Sequence, residues 1–339
     1  MGQVDVSVIM PAYNAEKTIG RAIRSVIMQT MKSFELIIIN DGSIDDTLKI
    51  VEEFEDSRIK LINQKNGGPL AAIRKGVNNA KGKYIAFIDA DDEFHEDFLK
   101  ITYNEAELKN ADIAVCGFYS CINNQVIENS LTDNTFCYTK SDIDQYLIYD
   151  FLASRKLQGV RWNKLYKKSL IDISLQNISK DFNYGEDVAM VLVTFLEATK
   201  IVVLNESLYY YYDTTASLQK RMRQIDSCMV ASKEMYNAIE GILLKYNKES
   251  AVKDLAYNFL TEFLMYLSIV DQSNITYIEK KKYILRELYD IKTSKILNQV
   301  EKKNWKRSII LFFVRNLKNV FCILLAVRSM KYLGILKYK

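Results

Sequence analysis

The chain has 339 residues, of which 49% are hydrophobic and 26% charged, with a net charge of +4. That length predicts two units of unequal character, and the composition argues against disorder. Five cysteines without a CxxC pair or a His at metal spacing indicate neither a disulfide framework nor a zinc site and fit a reducing cytoplasm. The charge is uneven: residues 302 to 339 hold ten Lys or Arg and no Asp or Glu, leaving 36 basic and 42 acidic residues in 1 to 301. A nucleic-acid enzyme usually spreads a basic face over its folded body, so no nucleic-acid partner is expected.

Along the chain, short apolar runs alternate with helical patterns. Strands are predicted at 6–10, 34–39, 59–62, 84–88 and 113–118, and helices at 18–29, 46–54, 70–79 and 97–109. A strand pattern begins by Val4 with no basic start and apolar run before it, so no secretory signal is read there. The Val- and Ile-rich strands fit a parallel sheet covered on both faces, whose ligands bind beyond the strands' carboxyl ends. Those ends carry Pro11-Ala12-Tyr13-Asn14, Asn40-Asp41-Gly42-Ser43, Asn66-Gly67-Gly68-Pro69 and Asp89-Ala90-Asp91-Asp92. Beyond residue 120 the expectation is a polar connection at 120–140, a short helix at 141–152, a strand at 160–166 and a helix opened by Gly185-Glu186-Asp187. Strands at 200–203 and 208–212 follow, and helix from about 221 onward.

Three carboxylates within four residues, Asp89, Asp91 and Asp92, repel one another unless a cation joins them, which points to Mg²⁺ or Mn²⁺. The same residues also suit an acidic helix start. Asp41 is read either as a ligand acceptor or as turn chemistry before a Ser43-to-Asp46 cap. The only prolines, Pro11 and Pro69, fall in strand-end loops, where they rigidify a rim or simply end strands. Neither GxGxxG nor GxxxxGK[ST] is present, so diphosphate charge has to be met chiefly by metal.

Together these segments, with Arg74 and Glu186-Asp187, resemble family 2 glycosyltransferases, inverting enzymes of the α/β GT-A fold, over residues 4 to about 215. The GT-A fold has a Rossmann-like, mostly parallel central sheet flanked by helices. The resemblance implies that Pro11, Ala12, Tyr13, Asn14, Asn66, Gly68 and Ala90 line a donor pocket, that Asp41 reads the base and that Arg74 borders it. It implies that Asp89 faces the ribose and donor sugar, that Asp91 holds Mn²⁺ or Mg²⁺, and that Asp187 is the general base. Glu186 and Trp162 are placed by it near the acceptor, although a core Trp and an acidic helix start account for the same residues. The run Tyr209 to Tyr212, with Thr214, Thr215 and Ser217, resembles the family's segment near the donor. A lone His95 beside the acidic cluster is weak evidence of a ligand.

The expected organisation is a GT-A domain at 1–220, with a nucleotide-sugar half to 119 and an acceptor half from 120, followed by a helical region at 221–339. Its tail, 302–339, has two apolar runs, Ile309 to Val314 and Val320 to Val327, each too short to span a bilayer. It reads either as a basic amphipathic helix on an anionic membrane surface or as a helical cap or dimer element. The implied activity is transfer of a hexose or N-acetylhexosamine from a UDP-sugar to a saccharide acceptor, lipid-linked or protein-linked, at the cytoplasmic membrane face in bacterial polysaccharide or glycan synthesis. Self-association is left open. The alternatives are a sugar-phosphate nucleotidyltransferase, which lacks its Gly-rich N-terminal loop here, and a non-catalytic nucleotide-sugar binder, against which Asp89, Asp91 and Asp187 argue.

Overall fold

The computed structural model describes residues 4–149, 151–152, 157–180, 182, 184–212, 225–300 and 320–332. Two compact units divide the chain, one made of residues 1–151 with 155–214, the other of 152–154 with 215–339.

The first unit begins with a parallel βαβ series: β1 Val6–Ala12, α1 Ile19–Ile27, β2 Phe34–Asp41, α2 Thr47–Glu52, β3 Ile59–Gln64, α3 Pro69–Asn78 and β4 Tyr84–Phe87. Every residue of β2 is buried, as a strand covered on both faces requires. In α1 the buried residues are Ile19, Ala22, Ile23 and Val26, the one-face spacing of an amphipathic helix. Gly76 lets α3 lie against the sheet, since a Cβ there would come 2.5 Å from Ile9 and 2.8 Å from Ile39. After β4 come β5 Glu93–Phe94, α4 Phe98–Leu108, β6 Ile113–Ile122, β7 Gln125–Asn129, β8 Phe136–Thr139 and a short α5, Lys140–Asp142, that runs into a π-helical turn, Ile143–Leu147. The unit closes with β9 Lys164–Lys167, α6 Lys168–Asn177, α7 Glu186–Glu197 and β10 Lys200–Tyr212.

The sheet order is β3-β2-β1-β4-β9-β6-β10-β5, with β7 beside β6 and β8 beside β10. Parallel pairing sets Ala12 next to Asn40, and Asn40 next to Asn63, so the loops leaving β1, β2 and β3 emerge side by side. β9 inserts antiparallel between β4 and β6, turning what would be neighbours into separated strands.

Several expectations past residue 120 are corrected. The polar connection contains two strands, β7 and β8; β7 is almost wholly exposed, so it has no alternating apolar signature to reveal it. The two strands expected at 200–203 and 208–212 are one 13-residue strand, bent at register shifts between Val203, Ser207 and Tyr209. Helix α6 was not anticipated, and the strand expected at 160–166 starts at Lys164.

The second unit is helical: α8 Ile225–Lys245, α9 Val252–Gln272, α10 Tyr277–Tyr289, α11 Ile291–Gln299 and α12 Val320–Tyr332. Thr276 and Glu279 form a capping box for α10, and Asp290 caps α11. In the basic tail, residues 301–319 and 333–339 lie outside the described residues, as do Thr214, Thr215 and Ser217. The described run Val320 to Val327 buries Val320, Ile323, Leu324 and Val327, so one stripe of α12 is helical core rather than an open apolar face. Among the described residues no helix is long and apolar enough to cross a membrane.

Candidate active site

The ends of β1 to β3 are joined by hydrogen bonds from backbone N–H groups to side-chain oxygens, the carboxylates of Glu16, Asp41 and Asp45 among them. Asn14 adopts a left-handed backbone (φ 49°), donates its N–H to Ser43 Oγ (3.0 Å) and accepts from Ile44 N–H at Oδ1 (2.9 Å). Pro11 is partly buried, Ala12 is buried and Tyr13 is 47% exposed, so this loop offers an aromatic ring at its rim. Gly42 has φ 72° and passes so near Asn66 that a Cβ would meet its backbone N at 2.7 Å.

Asp41, 3% exposed, accepts from Gln64 Nε2 (2.7 Å) and Gly67 N–H (2.9 Å) at Oδ1, and from Gly68 N–H (2.9 Å) at Oδ2. A carboxylate has about four acceptor positions. Three are taken, two by the Asn66–Gly68 loop and one by Gln64 at the end of β3, so bracing is the role this geometry displays, with about one position left for a ligand. Arg74 donates to the Ile178 carbonyl (2.7 Å), while its buried Nε has no hydrogen-bond partner among the described residues.

After β4 the acidic cluster divides. Asp92 is 1% exposed and accepts from Tyr209 OH (2.7 Å) and the Tyr212 N–H (2.9 Å). Burial first, then the charges of Asp89 and Asp91, hold its carboxyl well above the usual range. Asp92 is therefore a strut between the β4 exit and β10. Asp91 is partly exposed, and its backbone carbonyl accepts from Arg21 Nη2 (2.6 Å). Asp89 pairs with Arg161 at 2.6 Å. Ala90, between them in sequence, is buried.

Among the described residues no group of three His, Cys, Asp or Glu side chains is gathered to hold a metal ion. Mg²⁺ and similar cations that arrive with a diphosphate need only one or two protein carboxylates, with phosphate and water oxygens completing the shell. Asp91, an accessible hard-oxygen ligand next to Asp89, fits that role, whereas Asp92 is committed inward. His95 accepts the Asp97 N–H at Nδ1 (3.2 Å) and stacks near Tyr210.

Gly185, left-handed at φ 78°, starts α7, so Glu186 and Asp187 occupy its first turn. There both acids meet Arg161. Its guanidinium is 8% exposed, bonds Asp187 Oδ1 and Asp89 Oδ1, and lies 3.9 Å from Glu186. Burial pushes the Glu186 carboxyl up to about 7, helped by the neighbouring Asp187 charge and opposed by Arg161. Asp187 is also raised by burial, with Arg161 pulling it back; its side chain keeps 26% exposure, enough for contact with a substrate.

The loop before β9 presents Arg161. Lys164, fully buried, donates to the Gln158 carbonyl (3.0 Å), the Val160 carbonyl (2.7 Å) and Asn163 Oδ1 (2.6 Å), and burial pushes its ammonium down to about 7. Tyr166 OH donates to the Arg161 carbonyl at 3.3 Å. Trp162, by contrast, turns into the core: it is 5% exposed and stacked on Tyr209 at 4.3 Å with Phe118 at its edge. A ring packed on these neighbours offers no open face to a sugar, so the core reading of Trp162 replaces the acceptor platform. Arg161 was missed from sequence. Its signal was a permanent cation inside an otherwise apolar stretch, Val160-Arg161-Trp162.

The sheet is mixed rather than mostly parallel, and its parallel part, β3-β2-β1-β4, carries glycine loops and acids at its carboxyl ends, which fits the GT-A fold. Residues 7–173 match the family model described as Glycosyl transferase family 2, and the chain belongs to that family. It is 28% identical over 304 residues to a cholesterol galactosyltransferase of Borreliella burgdorferi, covering 87% of this chain and 83% of that protein. It is 34% identical over 217 residues to the uncharacterized glycosyltransferase EpsJ of Bacillus subtilis, covering 63% of this chain and 62% of that one. Among solved structures, S. aureus TarS 1-349 superposes with a TM-score of 0.69 at 20% identity, over 99% of this chain and 93% of TarS, a likeness of fold. TarS 1-349 has also been solved in complex with UDP-GlcNAc.

Proposed function

We propose that this protein is an inverting glycosyltransferase that moves a hexose or N-acetylhexosamine from a UDP-sugar to a saccharide hydroxyl by metal-assisted single displacement. The observation that carries the reading is the Asp89–Arg161–Asp187 group, which joins the β4 exit to the first turn of α7. Asp187 takes the proton of the acceptor hydroxyl as that oxygen bonds to the sugar C1, and the C1–O bond to the nucleotide breaks with its electron pair leaving on UDP. Asp89 faces the ribose and donor sugar, while Pro11 to Asn14, Asn66 and Gly68 border the nucleotide. Mn²⁺ or Mg²⁺, held by Asp91, would supply Lewis-acid stabilisation of the departing diphosphate.

The galactosyltransferase named among the relatives and the UDP-GlcNAc complex of TarS support this donor class. The acceptor is a growing glycan, lipid-linked or protein-linked, and the ten Lys and Arg of the 302–339 sequence, with no Asp or Glu, suit attraction to an anionic membrane at the cytoplasmic face. Incubating the full chain with a panel of nucleotide sugars, with and without chelator, tests the reading by release of free UDP. Turnover of nucleoside triphosphate with sugar phosphate, and none of nucleotide sugar, would identify a nucleotidyltransferase instead.

A further inference from the structure

We infer that Arg161 is a positioning residue that holds the general base Asp187 ionised and aimed, and ties it to the donor-side Asp89. The inference rests on the assignment of Asp187 as base. Its geometry is a guanidinium spanning two carboxylates from different elements: one nitrogen on Asp187 Oδ1, another 2.6 Å from Asp89 Oδ1. A planar fork fixes both direction and separation in a way a lysine does not.

Two observations argue against a purely structural ion pair. One guanidinium is shared among three carboxylates, Asp89, Glu186 and Asp187, and buried ion pairs are inefficient sources of stability. Arg161 also keeps its Nε buried without a hydrogen-bond partner among the described residues, a further cost of holding the fork there. The loop is built to keep it so: the Lys164 ammonium clamps the Gln158 and Val160 carbonyls, and Tyr166 OH holds that of Arg161.

The groups facing Asp187 are Arg161, Lys164 and Tyr166 on and before β9, Asp89 after β4, and Glu186 on its own helix. Burial and the Asp89 charge favour its protonated form; Arg161 opposes them most strongly, with Lys164 in support. Removing the guanidinium charge therefore leaves the base protonated over a wider range.

The test uses the full chain and UDP release from UDP-glucose, UDP-galactose or UDP-GlcNAc, whichever is turned over fastest, recorded as kcat against pH. Arg161→Gln should move the acid limb upward by about one pH unit or more and lower kcat at least tenfold at pH 7. Arg161→Lys should keep the limb near its wild-type position while kcat falls, because the charge remains and the fork is lost. Adding Arg161→Gln to Asp187→Asn should cost less than Arg161→Gln costs the wild-type chain. An unmoved limb in Arg161→Gln, with kcat lowered only as far as the folded fraction, would make Arg161 structural. If that variant does not fold, wild-type kcat and limb in Arg161→Lys would overturn the inference. Undiminished turnover by Asp187→Asn, or none of the three donors by the wild-type chain, would instead sink the functional reading on which it stands.

Discussion

The loops leaving β1 to β3 and the cluster joining the β4 exit to α7 sit at the same kind of place, the carboxyl ends of strands, yet they are held by different forces. Around Asn14, Asp41 and Gly68 the contacts are short, directional bonds from backbone N–H groups to side-chain oxygens. Around Arg161 they are buried charges whose balance shifts with protonation. The first arrangement fixes a shape, which suits recognition of a flat base and ribose. The second stores a proton equilibrium, which suits proton transfer. Mutations should therefore separate into those that change binding at every pH and those that change the pH dependence itself.

The largest effect is expected from Asp187→Asn, which removes the proton acceptor with little change of shape. Transfer should fall by about 10² to 10⁴-fold while calorimetry shows UDP affinity retained. Lost UDP binding with normal transfer per bound donor would move Asp187 into the donor pocket and erase the contrast between the two regions. Asp91→Ala should abolish the stimulation of UDP binding and turnover by Mn²⁺ or Mg²⁺, a loss on the order of 100-fold. Full activity of that variant, or of the wild type in excess chelator, would remove the metal from the scheme.

The stability of the charged cluster should itself depend on pH. The Glu186 carboxyl, about 7 in the fold against an ordinary 4.5, binds its proton more tightly folded than unfolded. Its contribution is full below about pH 4.5 and is lost as pH rises towards 7. Glu186→Gln should abolish this loss, so its advantage in urea unfolding should grow between pH 5 and 7.5, by on the order of 2 kcal/mol. A stability difference that stays flat with pH would place Glu186 in solvent. The effect least dependent on pH belongs to the first region. Asp41→Asn removes charge-assisted bonds to Gly67 and Gly68 and should cost about 1 to 3 kcal/mol, with UDP weakened equally across pH. A shifted pH profile would show that Asp41 belongs to the protonic machinery after all.

The sequence reveals these two regions unequally. Strands such as Leu36-Ile37-Ile38-Ile39 and the periodic face of α1 are local signals, and the βαβ order follows from them. The loops at the strand ends are legible for the same reason, since Gly42, Gly68 and Pro69 announce turns. What is not legible depends on partners far along the chain. Asp92 looks like a third metal carboxylate until Tyr209, 117 residues later, takes it into the core. Arg161 acquires its role only when β9 carries its loop between Asp89 and Asp187. Trp162 differs from a sugar platform only by what stacks on it, and β7 has no buried face to give it a period.

The insertion of β9 also sets an order of events during synthesis. The βαβ series through β4 can form early, but β4 then waits with one edge bare, because its neighbour on that side is Lys164–Lys167 rather than the β6 strand that emerges sooner. At ordinary elongation rates that interval lasts roughly 4 to 15 s. Meanwhile β6 must be kept from the vacant edge of β4, to which it would present a register the finished sheet does not use. Part of β4's guard against such mispairing is already in the chain: only four residues are strand, and the acidic stretch beginning at Asp89 follows immediately, a short charged end that discourages edge pairing.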